Sequence, residues 1–164
     1  MKRYRYWLGT GASLILGIIF IAAGLGKLMQ PSTMLDVFFN YFPDFGYLFL
    51  APAFASAITV GIPILELILG IFLVTGIFAR LATLLTIPLI TGFIASNTWL
   101  LTHGQQRNPC DCFGGFTEIL GIELTNTSAL YLDFGMAALV LMILFCYQRR
   151  FFSFKPWFLR EGEG

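Results

Sequence analysis

An all-α fold, an integral membrane four-helix bundle with both termini on the cytoplasmic side, is predicted by three observations. Of the 164 residues, 57% are hydrophobic and only 12% charged, with a mean hydropathy of +0.80, far from the balance of water-soluble domains. The apolar residues gather into four runs of about the twenty residues that cross roughly 30 Å of hydrocarbon. Positive charges flank the runs asymmetrically: Lys2, Arg3 and Arg5 precede the first, and Arg149, Arg150, Lys155 and Arg160 follow the last. By the preference of Lys and Arg for the cytoplasmic side, both ends face inward.

The runs extend from Trp7 to Met29, Phe54 to Phe78, Leu81 to Leu101 and Ala129 to Tyr147. Hydrocarbon offers no partners to backbone N–H and C=O groups, so each run must be a helix. The first is too long for the apolar core of a cleaved leader, typically about 7 to 15 residues, and is expected to stay as a span. Ala79 and Arg80 fall in a short cytoplasmic turn between the second and third runs, with Arg80 as a topology anchor. The whole chain, 1–164, is then one membrane domain, with extracytoplasmic loops at 30–53 and 102–128. The first of these loops is dense in Phe and Tyr, as befits the membrane interface.

Two features interrupt the apolar pattern. Gly17 and Gly24 on the first helix, and Pro63 and Gly70 on the second, are seven residues apart and put small residues on one stripe of each, which lets two backbones approach closely. Lys27 and Glu66 lie on those same stripes. A charge held within the bilayer costs roughly 2.5 to 3.5 kcal/mol on insertion scales, so Glu66 calls for a partner or a proton. Either Glu66 is a protonated or hydrogen-bonded packing group while Lys27 reaches for the headgroups, or the two lean towards each other across a depth difference of about 10 Å.

Two of the three cysteines, Cys110 and Cys112, flank Asp111 in the stretch "PCDCFGG" of the second outer loop. There they face a compartment where disulfides form. Cys146 lies about 25 Å away by helical rise, too far to bridge to them. A bridge between residues i and i+2 needs a bent backbone, which Asp111 and the glycines after Cys112 favour. Such a tight, exposed bridge is more easily reduced than a relaxed one, and closing so small a ring contributes little stability. Three uses compete: a reversible dithiol/disulfide pair, free or structural thiols, and a metal site joined by His103, the sole histidine. For the last, copper(I) suits two thiolates better than zinc. His103 is either a plain loop histidine at a helix end or a group that would promote a nearby thiolate, which Asp111 would oppose.

"AAGLGKLMQP" at the end of the first helix, "PILELILGIFLVTGIFARLATL" across the second and third, and "PCDCFGG" before the fourth resemble the MauE branch of the MauE/DoxX-like membrane proteins. The resemblance runs from about Ile18 to Tyr147, and its most specific part is the Cys-x-Cys-Phe-Gly segment. It implies a multi-pass protein of the bacterial inner membrane, concerned with redox handling of thiols. The namesake branch is tied to methylamine utilisation and to forming a disulfide-rich periplasmic subunit with a thioredoxin-like partner; DoxX-type relatives are tied to quinone-coupled sulfur oxidation. Carried over by position, Cys110 and Cys112 are the redox pair, and Lys27 and Glu66 the polar residues of the helix motifs. Unlike four-helix disulfide-generating enzymes with two cysteine pairs, this chain has one outward pair and no evident relay.

The expected function is therefore exchange of disulfides and electrons by Cys110 and Cys112 with an extracytoplasmic thioredoxin-like protein or a disulfide-bonded client. The alternative is a non-catalytic structural or assembly subunit of a larger membrane complex. No metal or resident cofactor is assigned, with quinone and copper as the two to consider. Enzymatic activity is left open, and the partners expected are lipid and protein rather than nucleic acid.

Overall fold

The computed structural model describes residues 2–29, 57–104 and 125–146. Almost all of them are helical. Helix α1 is Lys2–Met29; a π-helical turn, Ala57–Gly61, leads into α2, Ile62–Thr75; α3 is Ala79–Thr102 and α4 is Asn126–Cys146. Three helical stretches, Trp7–Met29, Ala79–Thr102 and Asn126–Cys146, are long and apolar enough to cross a membrane, and Thr59–Thr75 is a shorter apolar helix.

The boundaries shift from the sequence expectation for local reasons. The first helix begins at Lys2 rather than Trp7, because an α-helix continues through the polar residues that flank an apolar run. The second ends at Thr75, not Phe78. Gly76 takes φ 73° and donates its N–H to the Phe72 carbonyl at 2.9 Å, the left-handed helix end that glycine permits. Phe78 is also left-handed, at φ 50°, a costly conformation for a non-glycine residue. Its ring meets Phe72 edge-on, with centroids 6.4 Å apart, a favourable aromatic geometry. The turn is thus Gly76–Phe78, and Ala79 and Arg80 open α3 instead of forming the turn.

Side-chain contacts define the topology. The Ser13 hydroxyl donates to the Leu73 carbonyl at 2.7 Å while Lys27 meets Glu66, so α1 and α2 are antiparallel. Arg5 donates to the Phe145 carbonyl at 2.7 Å, pairing the start of α1 with the end of α4. Asn97 meets Asp133, and Lys27 lies over Phe93. The helices therefore run up, down, up, down, and one end of the bundle gathers the end of α1, the start of α2, the end of α3 and the start of α4.

The core is narrow. Leu16, Phe20, Leu69, Leu73, Ile90, Val140 and Ile143 fill its interior. Ile64, Leu65, Ile68, Leu84, Leu85, Phe134 and Leu141 remain exposed on the outside, the surface that a bilayer rather than water would cover. Backbone contact between α1 and α2 is closest at their small residues. A Cβ on Gly17 would come within 2.8 Å of the Gly70 carbonyl oxygen, and one on Gly24 within 2.8 Å of the Pro63 carbonyl oxygen. The small-residue stripes read from the sequence are the α1–α2 seam.

Candidate functional site

At the Gly24–Pro63 approach the α1 and α2 backbones touch. Lys27 and Glu66 each follow three residues later in their own chains. Because the helices are antiparallel, those steps carry the two α-carbons in opposite directions along the bundle. In an α-helix, however, each Cα–Cβ bond tilts towards the N-terminus. That tilt brings Lys27 back down and Glu66 up. Lys27 Nζ lies 2.5 Å from Glu66 Oε1, with the Glu66 side chain wholly buried. Of the two sequence readings, the one in which these residues meet describes the geometry, and the depth difference is taken up by two long side chains leaning together.

Each remaining helix adds to this pair. From α3, the Phe93 ring lies under the Lys27 ammonium, 4.5 Å from its centroid, an arrangement stabilised by the negative face of the ring. One turn further along α3, the Asn97 Nδ2 donates to Asp133 Oδ2 of α4 at 2.7 Å. Asn97 and Asp133 are both buried, and Asp133 is within the electrostatic reach of Lys27. Lys27, Glu66, Phe93, Asn97 and Asp133 thus form a polar centre to which all four helices contribute. Among the described residues, Glu66 Oε2 is buried there with no hydrogen-bond partner.

Asp133, Asn97 and Phe93 are not among the residues singled out from the sequence. Asp133 does carry a signal, since it is the single acid between Ala129 and Tyr147, and an isolated carboxylate in an apolar span marks a polar site. Asn97 and Phe93 carry no comparable signal.

His103 ends α3 at the same end of the bundle. Its ring stacks on Trp99, with centroids 3.9 Å apart. Nδ1 lies 2.9 Å from the Trp99 carbonyl oxygen and 3.2 Å from the Thr102 hydroxyl. A carbonyl only accepts, so this contact selects the tautomer with the proton on Nδ1 and leaves Nε2 as the acceptor. Arg80, by contrast, opens α3, about 25 Å from Asn97 by helical rise. Cys146 is a half-buried free thiol at the end of α4.

Cys110, Asp111 and Cys112, like most of both connecting loops, lie outside the described residues. The chain leaves them after Gly104 and returns at Thr125. Among the described residues, no three His, Cys, Asp or Glu side chains come together as a metal site; the copper reading concerns Cys110 and Cys112.

The family model described as methylamine utilisation protein MauE matches residues 5–147. The chain belongs to the MauE family. This match takes in α1 from Arg5 onwards, the three other helices, the polar centre and the Cys-x-Cys segment. No curated protein and no solved structure matches this MauE-family chain. It is a membrane protein, with helices whose length and apolar character suit the bilayer.

Proposed function

We propose that this MauE-family protein sits in the bacterial inner membrane and exchanges disulfides with an extracytoplasmic thioredoxin-like or secreted protein through Cys110 and Cys112. The observation that carries the reading is the cysteine pair itself, one residue apart within the family match. Cys146, the third cysteine, ends α4, at the end of the bundle opposite to Gly104 and Thr125, the described residues between which the Cys-x-Cys segment lies in the sequence.

In the exchange, a thiolate of one partner attacks a sulfur of the other's disulfide. The old S–S bond breaks, a mixed disulfide forms, and the leaving thiolate takes a proton. The second cysteine of the attacking pair then loses its proton and resolves the intermediate. One dithiol is oxidised by two electrons, and one disulfide is reduced by the same two. His103, with Nε2 left as proton acceptor, is a group that can receive a thiol proton if it reaches the pair, while Asp111 disfavours the thiolate.

Acid quenching and alkylation of intact cells, followed by mass spectrometry, tests this. The wild-type pair is expected to divide between oxidised and reduced forms and to shift with added reductant. A Cys112→Ser or Cys110→Ser protein should trap a mixed disulfide with a partner. A pair that stays wholly reduced, together with variants that trap nothing, would sink the proposal. Full function of the double serine variant within a stable larger complex would favour the assembly-subunit reading.

A further inference from the structure

Among the described residues, the polar centre contains one ammonium, Lys27, and two carboxyl groups, Glu66 and Asp133. From α3 it receives Phe93 and Asn97, both uncharged. The other ionisable side chains described on the four helices lie elsewhere: Tyr4 and Arg5 at the start of α1, Arg80 at the start of α3, His103 at its end, and Tyr131 and Cys146 on α4. Of these, Tyr4, Arg5, His103 and Tyr131 are exposed. With both carboxyls ionised, the centre would hold a net negative charge inside the hydrocarbon span, where an unbalanced charge is strongly disfavoured.

A second observation points the same way. Among the described residues, Glu66 Oε2 is buried without a hydrogen-bond donor, although Oε1 of the same carboxyl is held by Lys27. A carboxylate oxygen so placed is the most expensive kind of orphan. We propose that the Lys27–Glu66–Asn97–Asp133 centre is an intramembrane proton-binding site, holding one exchangeable proton that Glu66 and Asp133 can each carry.

The two seats are equivalent in charge. With the proton on Asp133, the Glu66 carboxylate balances Lys27; with the proton on Glu66 Oε2, the Asp133 carboxylate does so. Either way the centre is neutral, because each carboxylate has Lys27 as its counter-charge. A metal cation fits less well. Lys27 already occupies one Glu66 oxygen, and Asn97 turns its N–H, not its carbonyl, towards Asp133, so the donors present are arranged for carboxyl oxygens rather than for a metal. The proposal is independent of thiol exchange at Cys110 and Cys112.

Infrared spectroscopy of the full chain in lipid nanodiscs reads the proton directly. At about pH 7, where ordinary carboxyls are ionised, the wild-type protein should show a carboxylic-acid carbonyl band of one group that shifts in D2O. Asp133→Asn and Glu66→Gln should each abolish it, because one carboxylate then balances Lys27. Lys27→Met should double it. Absence of the band from the wild type, or its persistence unchanged in both single-carboxyl variants or in Lys27→Met, would overturn the proposal. If a variant does not fold, the wild-type band and its loss at alkaline pH decide. Sodium- or potassium-dependent thermal stabilisation that is lost in Asp133→Asn would also overturn it, by showing that a metal cation fills the proton's place.

Discussion

Gly17 and Gly70 press against each other reciprocally: a Cβ on either would come within 2.8 Å of the other's carbonyl oxygen. The contact is made of backbone, which cannot swing aside as a long side chain does. It brings α1 and α2 close enough for Lys27 to reach Glu66, one end of the seam setting the geometry at the other.

Gly70→Ala should therefore force the two helices apart. Its new methyl group would meet Gly17 O and Ile21 Cγ1 at 2.8 Å and Ile21 N at 3.0 Å. Overpacking of this kind costs about 1 to 3 kcal/mol. Gly92→Ala and Gly135→Ala are the internal controls, since a Cβ at either position meets nothing within 4 Å. Unfolding measured in mild detergent should show Gly70→Ala destabilised and both controls close to wild type. Equal losses at all three positions would contradict a tight α1–α2 seam.

The Lys27–Glu66 contact should appear as energetic coupling. Removing one member of a buried ion pair costs roughly 3 to 5 kcal/mol, whereas replacing both can be nearly neutral. In a cycle of Lys27→Met, Glu66→Gln and the double variant, the double should lose less stability than the two singles added together. Phe93→Leu should cost less than Lys27→Met, about 0.5 to 2 kcal/mol, by removing the ring beneath the ammonium. Additive losses at Lys27 and Glu66 would mean that the pair is not coupled in the bilayer.

Arg5 ties the first helix to the last turn of α4 through the Phe145 carbonyl, and its positive charge complements the negative end of the α4 dipole. Arg5→Ala should loosen that turn locally, by about 0.3 to 1 kcal/mol for an exposed contact. Hydrogen exchange should quicken at the amides near Cys146 and stay unchanged near Asp133. Uniform quickening along α4 would instead indicate global destabilisation.

The parts of this architecture legible in the sequence are those in which a residue contradicts its surroundings. Four helices follow from apolar runs that have no other way to satisfy their backbones, and the α1–α2 seam follows from glycines seven residues apart. Lys27 and Glu66 are conspicuous for the same reason. Their contact is less legible, because helical rise alone separates them and only the backward tilt of both side chains closes the gap. Asp133 is as conspicuous as Glu66, yet its connection to Asn97 depends on the rotational register of α3 against α4. Nothing in an uncharged Asn near the end of a run announces that register. Hydropathy places the end of α2 too late because it continues through Ile77 and Phe78, whereas the backbone turns at Gly76.

His103 offers a test that connects the end of α3 with the proposed thiol chemistry. Its Nδ1 is held at the Trp99 carbonyl and its ring is stacked on the indole, so the imidazole is oriented before any partner arrives. If Nε2 accepts the thiol proton of Cys110 or Cys112, His103→Ala should slow alkylation of the reduced pair by about a hundredfold, the lower end of the usual contribution of a positioned base. Trp99→Leu, which removes the stacking surface but keeps the imidazole, should slow it less. Thermal unfolding of His103→Ala should remain near wild type, because His103 is exposed at a helix end. Alkylation rates that match wild type in His103→Ala would separate the histidine from the cysteines and leave it as the C-terminal cap of α3.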